Sequence, residues 1–519
     1  MPTATLPKFI NVSILDFSDP EDRKKMESAI KKMKSEMGKE YPIIIGGEEV
    51  FLDKKFGSYN PSHKHEVVGI FQKADKEAAE KAMQAALKAF ETWKFTPAEE
   101  RAEYLLKVSE LMKKKRFELD AVMVLEEGKN WIEADGDLCE AIDFLEYYAR
   151  QIIEIDKGVP LTEYAPEDNK AAYIPLGVGI VIPPWNFPNA ILTGMTSSAL
   201  AAGNTVILKP ASDAPWIATK VMELFSEAGI PSGVLNLVTG PGSVAGNYLV
   251  EHPKTRFISF TGSMEVGKGI YAKAGKVVPG QIWLKRAVIE MGGKDAIIVD
   301  SETDITNAAD GVATSAFGFQ GQKCSACSRC IVVEDVYDEF VEKLKKRVEK
   351  ITTGDVADHD NWMGPVINEA SFKKAMEYIE IGKKEGKLLN GGEGDDSEGY
   401  FIKPTVFIDI ESQSQLGQEE IFAPVLAVIK AKDYDDAIRI ANDTIYGLTG
   451  AVYTDNEEKI EKAIREFHVG NLYFNRKCTA AFVGIHPFGG FNMSGTDSKT
   501  GAPGHLLLFM QMKMWSRKK

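Results

Sequence analysis

The chain has 519 residues, 44% of them hydrophobic and 27% charged. Those proportions fit a globular protein of more than one domain and exclude a largely disordered or collagen-like chain. With 62 basic against 76 acidic residues the formal charge is −14, and no basic tract stands out, so neither nucleic acid nor an anionic membrane is an expected partner. Five cysteines and seven histidines leave little room for metals or disulfides. The odd cysteine count leaves one thiol unpaired in any disulfide scheme, which favours a reducing, cytoplasmic setting.

The N-terminus, MPTATLPKFINVSILDF, lacks a basic stretch followed by an apolar core, so no secretory signal is expected. Residues 21–40 predict a charged amphipathic helix packed on the body. Ala79, Met83, Ala86, Leu87, Phe90 and Trp93 recur at helical spacing behind Asp75, a candidate N-cap, and predict a helix over Lys76–Trp93. Two further helices fit residues 98–115 and 137–153. From Ala171 to Leu208 there is no Asp, Glu, Lys or Arg. A membrane span needs about 20 predominantly apolar residues, but Pro175, Pro183, Pro184 and Pro188 break this run and Asn and Thr side chains interrupt it. It predicts a buried strand (177–182), a rigid loop, a buried helix (189–202) and a second strand (Thr205–Leu208).

Strand–helix alternation follows. A helix over 214–228 is closed by Gly229 with Pro231 beyond it, and VLNLVTG, RFISFTG and AVIEMGG read as strands. A second series starts at 296–300 and continues through a helix at Ile305–Phe317, a strand at 330–334 and a helix at 337–350. NGGEGDDSEG (390–399) predicts a surface loop. Alternation of this kind implies right-handed crossovers and mostly parallel sheets, hence two α/β domains with a cleft between them.

Several motifs carry little alone. GSMEVGKG (262–269) has the spacing of a phosphate-binding loop, but Gly269 replaces the Ser or Thr that would hold magnesium. A strand before it and a helix after it still direct backbone N–H groups at an anion. Gly240, Gly242 and Gly246 miss the third spacing of a dinucleotide fingerprint. CSACSRC lacks the fourth ligand of a cluster-binding run, and no Cys/His group completes a zinc site, so no metal is expected. Cys327 and Cys330 are expected as buried packing.

Other motifs point to chemistry. GQKCSACSR places Cys324 after a helix in a Gly-flanked, polar context, where a thiol is able to act as nucleophile. EMGGKD ends a strand with Glu290 and follows it with two glycines that permit close backbone approach. PWNFP fixes Asn186 between prolines as a candidate oxyanion donor. EEIFAP sets Glu420 near the aromatic Phe422, as a ribose and its attached ring would require.

With LKPAS, FTGSMEVG and PFGGFNMSG, these motifs occur in the order found in the aldehyde dehydrogenase superfamily, and the chain resembles it from about Pro42 onward. The resemblance implies an α/β fold of two Rossmann-like parallel-sheet domains, cofactor and catalytic, with a small β oligomerisation element. The implied division is a cofactor domain over 1–156 and 174–289, a catalytic domain over 290–493, and the oligomerisation element over 157–173 and 494–519. It implies Cys324 as nucleophile, Glu290 as general base and Asn186 with the Cys324 N–H as oxyanion donors. The cofactor would be NAD, with NADP permitted because Ser212 stands where many NAD-selective relatives carry Glu. Ile182, Pro183, Trp185, Lys209, Ser212, Gly242, Ser263, Val266, Glu420 and Phe422 would line its site.

The N-terminal extension, GQKCSACSR and the stretch from Thr479 to Gly495 resemble the branch that oxidises L-glutamate γ-semialdehyde, the hydrolysed form of Δ1-pyrroline-5-carboxylate, to L-glutamate in proline catabolism. There Glu140, Phe187, Lys323, Ser325, Ala480 and Ala481 would face the substrate. Ala480 departs from the pattern, since relatives usually have Gly. Two alternatives remain: oxidation of succinate semialdehyde or another short carboxylated aldehyde, and cysteine hydrolysis with His486 as helper. The partner is a small aldehyde, with neither nucleic acid nor membrane. The apolar tail HLLLFMQMKMW (505–515) predicts a homo-oligomer that buries it.

Overall fold

The computed structural model describes residues 6–519. Two seven-stranded sheets dominate. In the first, Arg286–Glu290, Phe257–Thr261, Val178–Ile182, Thr205–Leu208 and Leu235–Leu237 lie side by side in that order, all parallel. An antiparallel hairpin, Ile43–Ile45 with Glu48–Val50, finishes the edge. Within the parallel part of the sheet the chain enters at the central Val178–Ile182 strand, builds outward to Leu235–Leu237, then returns to build the other side. Strand order therefore reverses between Val178–Ile182 and Phe257–Thr261, and ligands of open α/β sheets sit outside the strand C-termini at such a point.

The second sheet runs Lys387–Asn390, Thr405–Ile408, Val425–Ala431, Arg329–Val333, Ala296–Val299, Thr449–Tyr453 and Asn471–Phe474, parallel except for its first strand. Only residues 291–295 separate Arg286–Glu290 of the first sheet from Ala296–Val299 of the second. The short connection brings strand C-termini of one sheet close to strand N-termini of the other. Apart from these, Glu167–Pro175 pairs antiparallel with Met510–Lys518 along its whole length.

The charge-free run folds as its composition demands. The Ala190–Ala201 helix is buried on almost every side, so no face is left for a charged residue. Neither it nor the Pro215–Glu227 helix has a side-chain cap of its own. Buried carboxylates from elsewhere supply them: Asp137 accepts from the Ala190 N–H at 2.6 Å, and Glu126 accepts from the N–H groups of Trp216 and Ile217 at 2.9–3.0 Å. A carboxylate at a helix N-terminus gains from both hydrogen bonds and dipole. Burial nonetheless pushes Glu126 up to about 7. Among the described residues no helix is long and apolar enough to cross a membrane.

Some element boundaries differ from expectation. The helix over 21–40 stops at Glu36, because Gly38 takes φ 78° and the chain then enters the Lys39–Tyr41 strand. Its buried Met26, Ala29, Ile30 and Met33 pack on the body as expected. The helix expected over 137–153 spans Trp131–Asp156, since Asn130 caps it by accepting from the Glu133 N–H. Residues 390–399 are an exposed loop that also carries half of the small Gly394–Asp395/Phe401–Ile402 hairpin. The apolar tail divides: His505, Leu506 and Phe509 are buried within the chain, whereas Met512, Met514 and Trp515 stay exposed on the Met510–Lys518 strand.

Candidate active site

The Cys324 loop begins where the Ile305–Phe317 helix ends in a tight turn. Phe319 (φ 48°) and Gln320 (φ 58°) both occupy the left-handed region, which costs a non-glycine residue about 1–2 kcal/mol. Buried hydrogen bonds hold them there: the Gln320 amide donates to the carbonyls of Gly128 (2.9 Å) and Pro365 (2.8 Å), and Gln322 Oε1 accepts from the Ile367 N–H. Strain of this kind persists only where the surroundings over-determine the backbone. Gly321 is required at its position, because a Cβ there would lie 2.4 Å from the Ala423 carbonyl oxygen.

Of the five free thiols only Cys324 is partly exposed; Cys139, Cys327, Cys330 and Cys478 are buried. Asn186 Nδ2 donates to the Gln322 carbonyl at 3.0 Å, two residues before Cys324. The PWNFP loop, at the C-terminal end of Val178–Ile182, is thereby tied to the Cys324 loop. Burial pushes the Cys324 thiol above its ordinary value, and the carboxylates of Asp295, Glu420, Glu290 and Glu140 push it further.

Glu290 is the last residue of its strand. Ser498 Oγ donates to one carboxylate oxygen at 2.8 Å and the Gly490 N–H to the other at 3.3 Å, yet burial raises the group to about 8. Glycines of PFGGFNMSG make room for it: a Cβ on Gly489 or Gly495 would come within 3.0 Å of its oxygens. Glu420 lies over the two glycines of EMGGKD. It accepts from the Gly293 N–H at 3.1 Å, and a Cβ on Gly292 would approach it to 2.0 Å. Phe422, two residues on, is held at φ 64° with its ring edge-on to Trp185, centroids 5.6 Å apart.

The other proposed cofactor residues lie at strand ends of the first sheet. Ile182 closes its strand and Pro183 is buried behind it. Lys209 follows Thr205–Leu208; its ammonium donates to the Pro210 carbonyl, and burial lowers it to about 8. Its aliphatic stem packs on the Gly242–Gly246 turn, where a Cβ on Gly246 would sit 3.3 Å away. Ser263 precedes the Met264–Gly275 helix without using its hydroxyl as a cap, and Val266 is exposed one turn later. Ser212 is partly exposed, beside Asp213, which accepts from Asn368. An uncapped helix start, a lysine against a glycine turn, and a carboxylate beside an aromatic pair suit a dinucleotide's phosphates, ribose and ring.

The proposed substrate residues are less uniform. Phe187 is half-buried in PWNFP, and Ser325 is buried, its carbonyl accepting from Cys478 Sγ. Glu140 is raised to about 8 by burial and by Asp137 and Asp143. Lys323 is not a free cation, because its ammonium pairs with Glu133 at 2.7 Å. Ala480 takes φ 66°, and the carbonyls of Thr479 and Ala480 each accept from Arg476 Nη2 at 2.8 Å. Ala481 is half-buried next to them. His486 is already engaged: its Nδ1 accepts from the Phe482 N–H, and its ring meets Tyr473 edge-on. Sequence reasoning missed Glu133, Asp295, Arg476 and Ser498. The only linear signal among them was the adjacency of Asp295 to EMGGK. Among the described residues no group of three or more His, Cys, Asp or Glu side chains is placed to hold a metal ion.

Residues 51–515 match the model of the aldehyde dehydrogenase family. The 1-pyrroline-5-carboxylate dehydrogenase of Geobacillus sp. (strain WCH70) is 56% identical over 500 residues, covering 96% of this chain and 97% of its own. A solved structure of a point mutant of the Thermus thermophilus 1-pyrroline-5-carboxylate dehydrogenase superposes with a TM-score of 0.98 at 52% identity, covering 99% of this chain and 100% of its own. The Thermus 1-pyrroline-5-carboxylate dehydrogenase with bound NAD gives the same TM-score and coverage at 51% identity. Matched over most of its length by the family model and 56% identical to a relative that it covers almost completely, the chain belongs to the aldehyde dehydrogenase family.

Proposed function

We propose that the protein oxidises L-glutamate γ-semialdehyde, formed by hydrolysis of Δ1-pyrroline-5-carboxylate, to L-glutamate with NAD. The observation that carries this reading is the loop geometry: the one partly exposed thiol lies two residues from a carbonyl bonded by Asn186, within the field of Glu290. The Cys324 thiolate attacks the aldehyde carbon to give a thiohemiacetal. Asn186 spends one of its two N–H groups on Gln322, leaving the other, with the Cys324 N–H, for the oxyanion. NAD, when bound, would supply the hydride acceptor; loss of hydride from the carbon of the adduct leaves a thioester. Lys209, Ser263 and Glu420, with Trp185 and Phe422, would hold the NAD, and a neutral Ser212 leaves NADP permitted. Glu290 then takes a proton from the water that attacks the thioester carbonyl, and the C–S bond breaks to release carboxylate product and thiolate.

For the amino-acid end of the substrate, Glu140 suits an ammonium and the N–H groups of Ala480 and Ala481 suit a carboxylate. The carbonyls of Thr479 and Ala480 are already engaged by Arg476. Met512, Met514 and Trp515, exposed on the paired terminal strand, support a homo-oligomer in which 157–173 and 494–519 form the contact. Residues 1–156 with 174–289, and 290–493, would be the cofactor and catalytic domains, in a cytoplasmic enzyme. The test is NAD reduction by purified protein across an aldehyde panel with Cys324→Ala as control. The semialdehyde of glutamate should give the highest kcat/KM and the variant none; a higher value for succinate semialdehyde refutes the substrate assignment.

A further inference from the structure

Lys129 has no part in the chemistry of Cys324, Glu290 and Asn186, yet its surroundings connect two catalytic loops. It sits in the short turn between the Arg116–Glu127 and Trp131–Asp156 helices, after Gly128 at φ 69°. The side chain is wholly buried and its ammonium pairs with an equally buried Asp137 at 2.8 Å. The same nitrogen lies 4.0 Å from the centroid of Phe187 and 4.4 Å from that of Phe319. Phe187 directly follows Asn186, and Phe319 is the first left-handed residue of the turn that leads to Cys324. The two rings meet edge-on at 6.5 Å. Asp137 uses its other oxygen to hold the Ala190 N–H, at the start of the helix that follows PWNFP.

A buried cation enclosed by two ring faces and one carboxylate interacts strongly with all three. The rings cannot separate without one of them losing the cation. The second tie between the loops, from Asn186 to Gln322, is a single hydrogen bond, and the neighbouring Gln320 amide is anchored to the carbonyl of Gly128, in the same turn as Lys129. Both loops are thus referenced to one point of the backbone.

We propose that Lys129, through Asp137, Phe187 and Phe319, is a positioning residue for aldehyde oxidation: it clamps the Asn186 loop to the Cys324 loop and sets the spacing of oxyanion donor and nucleophile. The inference rests on the reading of Cys324 and Asn186 as nucleophile and oxyanion donor. A cation serving stability alone would lower the melting temperature when removed and leave kcat per folded molecule unchanged. Loss of a clamp lowers kcat per folded molecule whatever happens to the melting temperature.

The double variant Lys129→Met/Asp137→Asn keeps volume and the acceptor for Ala190 while burying no unpaired charge. Its kcat should fall roughly 10–100-fold, the order expected of an ångström-scale displacement. The Kd for NAD, read by fluorescence titration, should stay within about twofold, because Lys209, Ser263 and Glu420 are untouched. A folded double variant with wild-type kcat overturns the proposal. If that variant does not fold, Phe319→Leu removes one ring while keeping an apolar side chain. It should lower kcat about 3–10-fold with NAD affinity unchanged, and an unchanged kcat again overturns the clamp. Cys324→Ala in the same assay keeps the two claims apart. Turnover surviving there refutes the nucleophile itself, whereas a dead Cys324→Ala beside a fully active clamp variant refutes the clamp alone.

Discussion

The two halves of the site hold unusual backbone in different ways. Around Cys324, Phe319 and Gln320 are left-handed, buried, and fixed by the Gln320 and Gln322 amides. At the far end Ala480 is also left-handed, but exposed, and its segment is bonded by the Arg476 guanidinium. The reacting centre is over-determined, and the loop that would bind the variable end of the substrate is not. Strain at the first is absorbed by burial, whereas strain at the second leaves the loop close to other conformations. Substitutions should therefore act on kcat at one end and on KM at the other.

The largest effect expected of a single carboxyl change is at Glu290. Its raised value, about 8, means that burial favours the neutral acid. The base form is the carboxylate, so thioester hydrolysis should accelerate as pH rises through about 8 and level off above it. Glu290→Gln should lower steady-state kcat by about 10²–10⁴, the usual worth of a general base, and should abolish that inflection. Acyl-enzyme should accumulate as a burst of reduced cofactor equal to the enzyme concentration. A variant that keeps the pH inflection would show that another group is the base, and the nucleophile end would lose half of its assigned machinery.

A smaller effect is expected at Gly292, where no charge is altered. A methyl there would meet the Glu420 carboxylate at 2.0 Å, so the acid must swing away from the Gly293 N–H. Gly292→Ala should raise KM for NAD by roughly 10-fold or more, in line with the loss of one charge-assisted hydrogen bond. The rate of alkylation of Cys324 by iodoacetamide should be nearly unchanged. An unaltered KM would mean that Glu420 does not contact the cofactor ribose.

How far sequence alone reached follows the same division. Cys324, Glu290, Asn186 and Glu420 each sit in a short motif bounded by Gly or Pro, and such motifs are visible because backbone geometry restricts which residues fit. The parallel sheets were equally legible, from strand–helix alternation and from a run of residues too buried for charge. Ser498, Asp295, Glu133 and Arg476 were not. Each is an ordinary polar residue in the linear sequence, and only tertiary packing brings Ser498 to Glu290 or Glu133 to Lys323. That last pairing also changes the electrostatics: the charge of Lys323, a residue expected to face the substrate, is paired with Glu133. The start of the Trp131–Asp156 helix was missed although Gly128 and Asn130 carry stop and start signals. The Arg116–Glu127 helix, between the expected helices at 98–115 and 137–153, was not expected at all.

The smallest predicted effect tests the comparison most directly, at Ala480. Its Cβ imposes about 1–2 kcal/mol in the left-handed region, while glycine there would cost about 0.5–1 kcal/mol more unfolded-chain entropy. The difference favours glycine by at most about 1.5 kcal/mol, so Ala480→Gly should shift the melting temperature by no more than about a few degrees. The loop itself should respond more, since glycine adopts the left-handed conformation of residue 480 without the Cβ penalty. KM for glutamate semialdehyde should fall about two- to fivefold with kcat constant, the change expected when a preorganising substitution removes a conformational cost near 0.5–1 kcal/mol. NAD affinity is the internal control, because the proposed cofactor residues lie on other segments. If kcat moved with KM, the anchor loop and the nucleophile loop would be mechanically coupled, and the separation of a fixed reacting centre from an adjustable substrate end would fail.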